Sequence, residues 1–126
     1  MKKTEEKIKS AELLYNQGFY EDSASRAYYA ILHAIIACLR IKKVDLGQHK
    51  HNYILTQFRI YFIDTSIFPK EIYGNIQNIK SSREQADYSI KVNVSAEDSQ
   101  NILRDSRKIV ALIQDYFNLI SNSKEK

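Results

Sequence analysis

The chain has 126 residues, 44% of them hydrophobic and 27% charged, with a formal net charge of +4. That length and balance suit one globular domain and exclude a disordered or membrane-spanning class. One proline and three glycines are too few for the turns of a sandwich or barrel, and a single cysteine excludes an internal disulfide and a cysteine-based zinc site.

The first predicted helix covers Thr4 to Gln17, with Ile8, Ala11, Leu14 and Tyr15 at helical spacing and Gly18 as its stop. The second runs from Phe19–Asp22 to about Lys42 and contains SRAYYAILHAIIACLR, residues 25 to 40. At about 100° per residue, Ala24, Tyr28, Ile31, Ile35, Cys38 and Leu39 share one face, which is the expected core face. Cys38 therefore reads as a small buried residue. Opposite lie Asp22, Arg26, Tyr29, His33 and Arg40, with Arg26 and His33 separated by roughly 10 Å along the axis. No Lys, Asp or Glu occurs between Arg26 and Arg40, and Ala30 and Ala37 sit inside the stripe. A solvated face would carry such residues, so this helix is expected to pack on more than one side, against its own chain or a second subunit. Arg26 and His33 are then either hydrogen-bonded edge residues or the lining of a site.

A loop at Val44–Gly47 precedes a third predicted helix, His49 to Ile63, with Tyr53, Phe58 (or Gln57) and Tyr61 along one side. His49 and His51 are two apart, which is wrong for a shared helical metal site, and read as solvated. Asp64 to Pro69 is a break. The fourth helix, Lys70 to Tyr88, carries Ile72, Ile76, Ile79 and Ala86 on one face, and SIKVNV then forms an extended link. Ser95 is the expected N-cap of the last helix, whose apolar face holds Ile102, Ile109, Ile113, Tyr116, Phe117 and Ile120. The expectation is an all-α, antiparallel up-and-down bundle of about five helices, with a single domain over residues 1–121 and a frayed polar tail at 122–126. No apolar run reaches the ~20 residues of a membrane span and the start is unlike a signal peptide, so a cytoplasmic location is expected. No nucleotide-loop or metal-protease motif occurs, and neither metal nor cofactor is expected.

SRAYYAILHA, then SSREQADYSI and SAEDSQNILRDSRKIVALI in that order, resembles the small stand-alone HEPN-domain proteins of prokaryotes. The resemblance implies a helical bundle, usually a homodimer, that is often paired with a minimal nucleotidyltransferase in a toxin–antitoxin-like system and binds RNA or nucleotide. It marks Arg26, Tyr29 and His33 in the early signature and Arg83, Asp87 and Tyr88 in the later one. It also implies Tyr88 as a possible acceptor of a nucleotidyl group from the partner. Active members are implied to cut RNA without metal, using an Arg, a polar neighbour and a His four to six residues on. Here Arg83 and Glu84 are followed by Tyr88, Ser89 and Ile90 where the His is expected. His33 follows Arg26 after six residues, but on the second helix and with Ala27 as the neighbour. Three functions therefore stand open. The chain can be an RNA- or nucleotide-binding partner through Arg26, Tyr29, His33, Arg40, Arg83 and Asp87. It can be a metal-independent endoribonuclease with His33, Arg26 and Arg83 as catalytic residues. Or it can be a non-catalytic interaction module. A bland reading remains for each: Arg83 and Asp87 suit a local helical ion pair, and Tyr88 suits a core position near a helix end.

Overall fold

The computed structural model describes residues 1–47, 50–88 and 94–124, and for 83–88 and 123–124 the backbone alone. Within them lie five α-helices: α1 (Lys2–Asn16), α2 (Tyr20–Ile41), α3 (His51–Phe58), α4 (Lys70–Tyr88) and α5 (Ala96–Lys124). A π-helical turn, Arg59–Ile63, prolongs α3. No strand occurs among the described residues. The all-α bundle expected from the hydrophobic pattern is the observed fold.

The turn between α1 and α2 is set by Gly18, whose φ of +86° only glycine adopts cheaply. The Gly18 and Phe19 N–H groups donate to the carbonyls of Tyr15 and Leu14 at 3.0 and 2.8 Å, closing the end of α1. The two helices are antiparallel and close. Ser23 Oγ donates to the Ala11 carbonyl at 2.7 Å, and Ala11, Ser23, Ala24, Ala27, Ala30 and Ala34 are all buried. Side chains this small let backbones approach within reach of a hydroxyl.

Helix α2 is the central element, in contact with α1, α3, α4 and α5. This explains why it is apolar almost all round: Ala30, on the stripe opposite the core face, is fully buried. Tyr28, Ile31, Ile35, Cys38 and Leu39 are buried as the helical angles require. Burial pushes the Cys38 thiol up to about 12, so it is a packing residue and no nucleophile at neutral pH. Ser99 Oγ donates to the Tyr20 carbonyl at 3.0 Å near the start of both helices, while Cys38 lies beside Ile113 further along both. Thus α5 runs parallel to α2 and antiparallel to α1. Ser95 caps α5 as expected, accepting the Asp98 N–H at 3.0 Å, and α5 extends through Lys124.

The third helix departs from the sequence expectation. Its α-helical part starts at His51, His49 lies outside the described residues, and Tyr61 does not share the core face with Phe58. Tyr61 is exposed and Phe62 is fully buried instead. The Asp64 N–H donates to the Arg59 carbonyl at 2.8 Å, a five-residue step. Already in an α turn the fourth residue after Phe58 lies nearer its face than the third, and the wider π turn carries Tyr61 further off that face. Phe58, Phe62 and Phe68 stack at centroid distances of 5.6 to 5.9 Å, and Tyr116 of α5 meets Phe62 and Phe68 edge-on at 5.5 and 5.4 Å. Beyond Pro69, α4 buries Ile76 and Ile79. The Ala86 side chain and most of the SIKVNV link lie outside the described residues.

Candidate functional site in the cleft between the first two helices

Alongside the α1–α2 contact a cleft of about 490 Å3 opens. Its α2 wall is Asp22, Ser25, Arg26, Tyr29 and His33, which are one turn or less apart along a single face. Lys7 and Leu14 of α1 form the other wall. The structure therefore brings together Arg26, Tyr29 and His33, three of the residues singled out in the sequence. Arg40 is exposed and lies about two turns past His33, outside the lining. Arg83, Asp87 and Tyr88 stand on the last turns of α4, with side chains outside the described residues.

Tyr29 is half-buried and held from behind. Its ring meets the His51 ring edge-on at 5.7 Å and the Tyr28 ring at 5.8 Å, and Tyr28 meets His51 at 5.9 Å. His51, expected to be solvated, is half-buried here against the Tyr28 and Tyr29 rings. The His33 imidazole is held below its usual value, first by desolvation, then by the positive charges of Lys7, Lys3 and Arg40. It is therefore neutral at physiological pH, with one ring nitrogen free to accept a proton. The cleft combines a neutral imidazole, a guanidinium, an ammonium and an aromatic ring. That set can accept a proton, neutralise a phosphate and stack on a planar group.

Lys7, Leu14 and Ser25 escaped the sequence reading. Ser25 opens the early signature without being marked by it, and Leu14 is one of the helically spaced apolar residues of α1. Lys7 becomes a cleft residue only through the register of α1 against α2, which no single-helix pattern contains. Among the described residues no three His, Cys, Asp or Glu side chains gather where a metal ion could be held. No helix there is long and apolar enough to cross a membrane.

The model of the HEPN domain matches residues 1–116. The chain belongs to the HEPN family. It is 29% identical over 103 residues to a Methanocaldococcus jannaschii protein named "Putative toxin MJ0142", an alignment covering 82% of this chain and 69% of that one. It is 32% identical over 111 residues to "Putative toxin MJ0605" of the same organism, covering 87% and 80%. A third relative, "UPF0332 protein PH1297" of Pyrococcus horikoshii, is 38% identical over 74 residues, covering 59% and 50%. The family match spans the whole of α1 and α2, so the cleft is a feature of the HEPN domain itself and of no appended segment.

Proposed function

We propose that this HEPN domain is a toxin-like protein that binds RNA or a nucleotide in the α1–α2 cleft, with Arg26 on a phosphate and Tyr29 against a base. The observation that carries this reading is the convergence of Arg26, Tyr29 and His33 with Lys7 on one cleft. Two relatives named as toxins support the toxin-like role. In this reading the protein works as a homodimer in the cytoplasm, is neutralised by a minimal nucleotidyltransferase, and has Tyr88 as the acceptor for that partner. Arg83 and Asp87 extend the binding surface from α4, and Arg40 extends it along α2.

The neutral state of His33 favours a second reading, metal-independent RNA cleavage. The imidazole takes the proton of a ribose 2′-hydroxyl, and the oxygen attacks the adjacent phosphorus. A 2′,3′-cyclic phosphate forms, and the departing 5′-oxygen takes a proton from water. Arg26 stabilises the extra negative charge on the phosphate, with Arg83 as the second candidate for that duty.

The test is one assay in EDTA with three variants. Binding and cleavage of a labelled RNA are compared for the parent, Arg26→Ala, His33→Ala and Arg83→Ala. Loss of binding in Arg26→Ala supports the site; loss of cleavage with binding kept in His33→Ala assigns the chemistry. Binding that survives Arg26→Ala unchanged removes the cleft from consideration. Arg83→Ala with unaltered RNA affinity and unaltered partner capture ends the site at α2.

A further inference from the structure

The register of α1 on α2 puts more charge along the cleft than its lining alone. Ser23 meets Ala11, and the helices are antiparallel. Four residues on from that contact in each helix, Lys7 is level with Ala27 and so with Arg26, about 6 Å from the contact. Another four residues bring Lys3 level with Ile31, just short of His33. Arg40 continues the same line beyond the start of α1. Arg26 and Arg40 are about 21 Å apart along α2.

Among the described residues, the arginines outside this line are ion-paired. Arg59 is paired with Asp64 at 2.7 Å, Arg107 with Glu12 at 2.9 Å and, more loosely, Arg104 with Asp105 at 3.5 Å. Among the described residues, Lys3, Lys7, Arg26 and Arg40 make no ion pair. Asp22 is the one carboxylate lining the cleft, and it stands at the Arg26 end. Lys3, Arg26 and Arg40 are exposed and Lys7 is half-buried, so all four are within reach of a ligand. Unpaired cations on both walls of a seam repel one another, and a polyanion lying along it relieves that repulsion.

We propose that Lys3 and Lys7 of α1 join Arg26 and Arg40 of α2 in one cationic seam that carries the backbone of a single-stranded nucleic acid past His33. This rests on the cleft being the RNA or nucleotide site, and it chooses between those two ligands. A mononucleotide reaches only the Arg26–Lys7 end, whereas a strand of several phosphates engages the whole line. The lengthwise direction also sets what His33 meets, which is an internal phosphodiester and not a chain end.

The experiment measures the anisotropy of a fluorescein-labelled oligouridylate of about a dozen nucleotides against the full chain over a salt series. Four phosphate contacts give log K a slope of about −2.8 against log salt, and each contact removed flattens it by about 0.7. Lys3→Met and Lys7→Met are each expected to flatten the slope by that amount. Lys108→Met, an exposed lysine of α5 that changes net charge equally, is expected to leave it unaltered. If the parent binds but the two α1 variants keep its slope, or Lys108→Met flattens it as much, the seam is wrong while the cleft reading stands. Displacement of the strand by adenosine monophosphate as effective as by unlabelled oligouridylate also overturns the seam, leaving a single-nucleotide pocket. A parent chain that binds neither probe refutes the proposed function, and the seam falls with it.

Discussion

Helix α1 separates two grooves whose charges meet different fates. On the α5 side, a groove of about 290 Å3 is lined by Glu5, Lys9, Glu12 and Arg107, and its arginine is closed off by a carboxylate at 2.9 Å. The α2 side has a groove of about 490 Å3 with Lys7, Arg26 and His33 facing the single carboxylate of Asp22. Both carry charged side chains at a helix–helix junction, although Ile8, Val110 and Ala111 also line the α5 groove. The pairing of their arginines distinguishes them. A guanidinium already hydrogen-bonded to a neighbour is satisfied and offers a ligand little, while an unpaired one on the same cleft as an imidazole is open to an anion.

The comparison breaks most completely if α1 is unseated, since both grooves share it. Ala27 and Ala30 are fully buried on α2. Ala30→Leu is expected to cost about 1–3 kcal/mol by overpacking, read as a lower midpoint in denaturant at unchanged m-value. Nucleic-acid binding should weaken in the same variant even where it remains folded, because the Lys7 wall moves off. Full stability would mean that the alanine contact is looser than its burial indicates.

Next in size is the contrast between the grooves themselves. Arg26→Ala is expected to weaken RNA affinity by about tenfold or more, in line with ~1.5–3 kcal/mol for a charge-assisted hydrogen bond. Arg107→Ala removes the same charge from the other groove and should leave affinity within about twofold. Equal losses would show that net charge alone drives binding, and the distinction between paired and unpaired arginines would lose its meaning.

Much of this was legible in the sequence where one helix sufficed to decide it. The core face of α2, the stop at Gly18 and the cap at Ser95 each follow from a local pattern, and each is realised. Arg26, Tyr29 and His33 share a face because 3.6 residues make a turn. What escaped needed a second element. Lys7 sits at the edge of the apolar stripe of α1, an unremarked position until Ser23 and Ala11 fix the register. Phe62, four residues after Phe58, fits a helical period, and the π turn that no hydrophobic period announces only carries Tyr61 further outward. His51 gained its place against Tyr29 through the packing of α3 on α2, which no single-helix pattern contains.

A smaller effect tests the electrostatics of the larger groove by pH. His33 is faced by Lys3 and Lys7 from α1 and by Arg26, Arg40 and Asp22 along α2, with its pKa lowered by burial first and by Lys7, Lys3 and Arg40 after it. A lowered folded value means that the unfolded chain binds the proton more readily. His33 thus favours the folded state fully above about pH 6.5, and this contribution is lost as pH falls through its depressed value. His33→Gln should flatten the stability profile on that acidic limb and leave it unaltered near pH 8. Binding has the opposite sign: protonated His33 adds a positive charge, so affinity for a polyanion should rise on acidification in the parent and not in the variant. A stability profile identical in parent and His33→Gln would mean the imidazole is better solvated than its neighbours imply.

The smallest expected effect lies in the other groove. Glu12 and Arg107 are each partly exposed, so their pair gains little over solvation by water and is screened by salt. A double-mutant cycle of Glu12→Gln and Arg107→Gln should return a coupling of about 0.2–1 kcal/mol that shrinks at high salt. The informative arm is Glu12→Gln alone. It frees the Arg107 guanidinium on α1's far side without adding a group, giving the α5 groove the unpaired state that the α2 groove has by nature. If pairing is what keeps that groove silent, this single change should add a weak, salt-sensitive RNA-binding mode that survives Arg26→Ala. If no such mode appears, the presence of Tyr29 and His33 matters beyond charge, and an open guanidinium alone does not make a site.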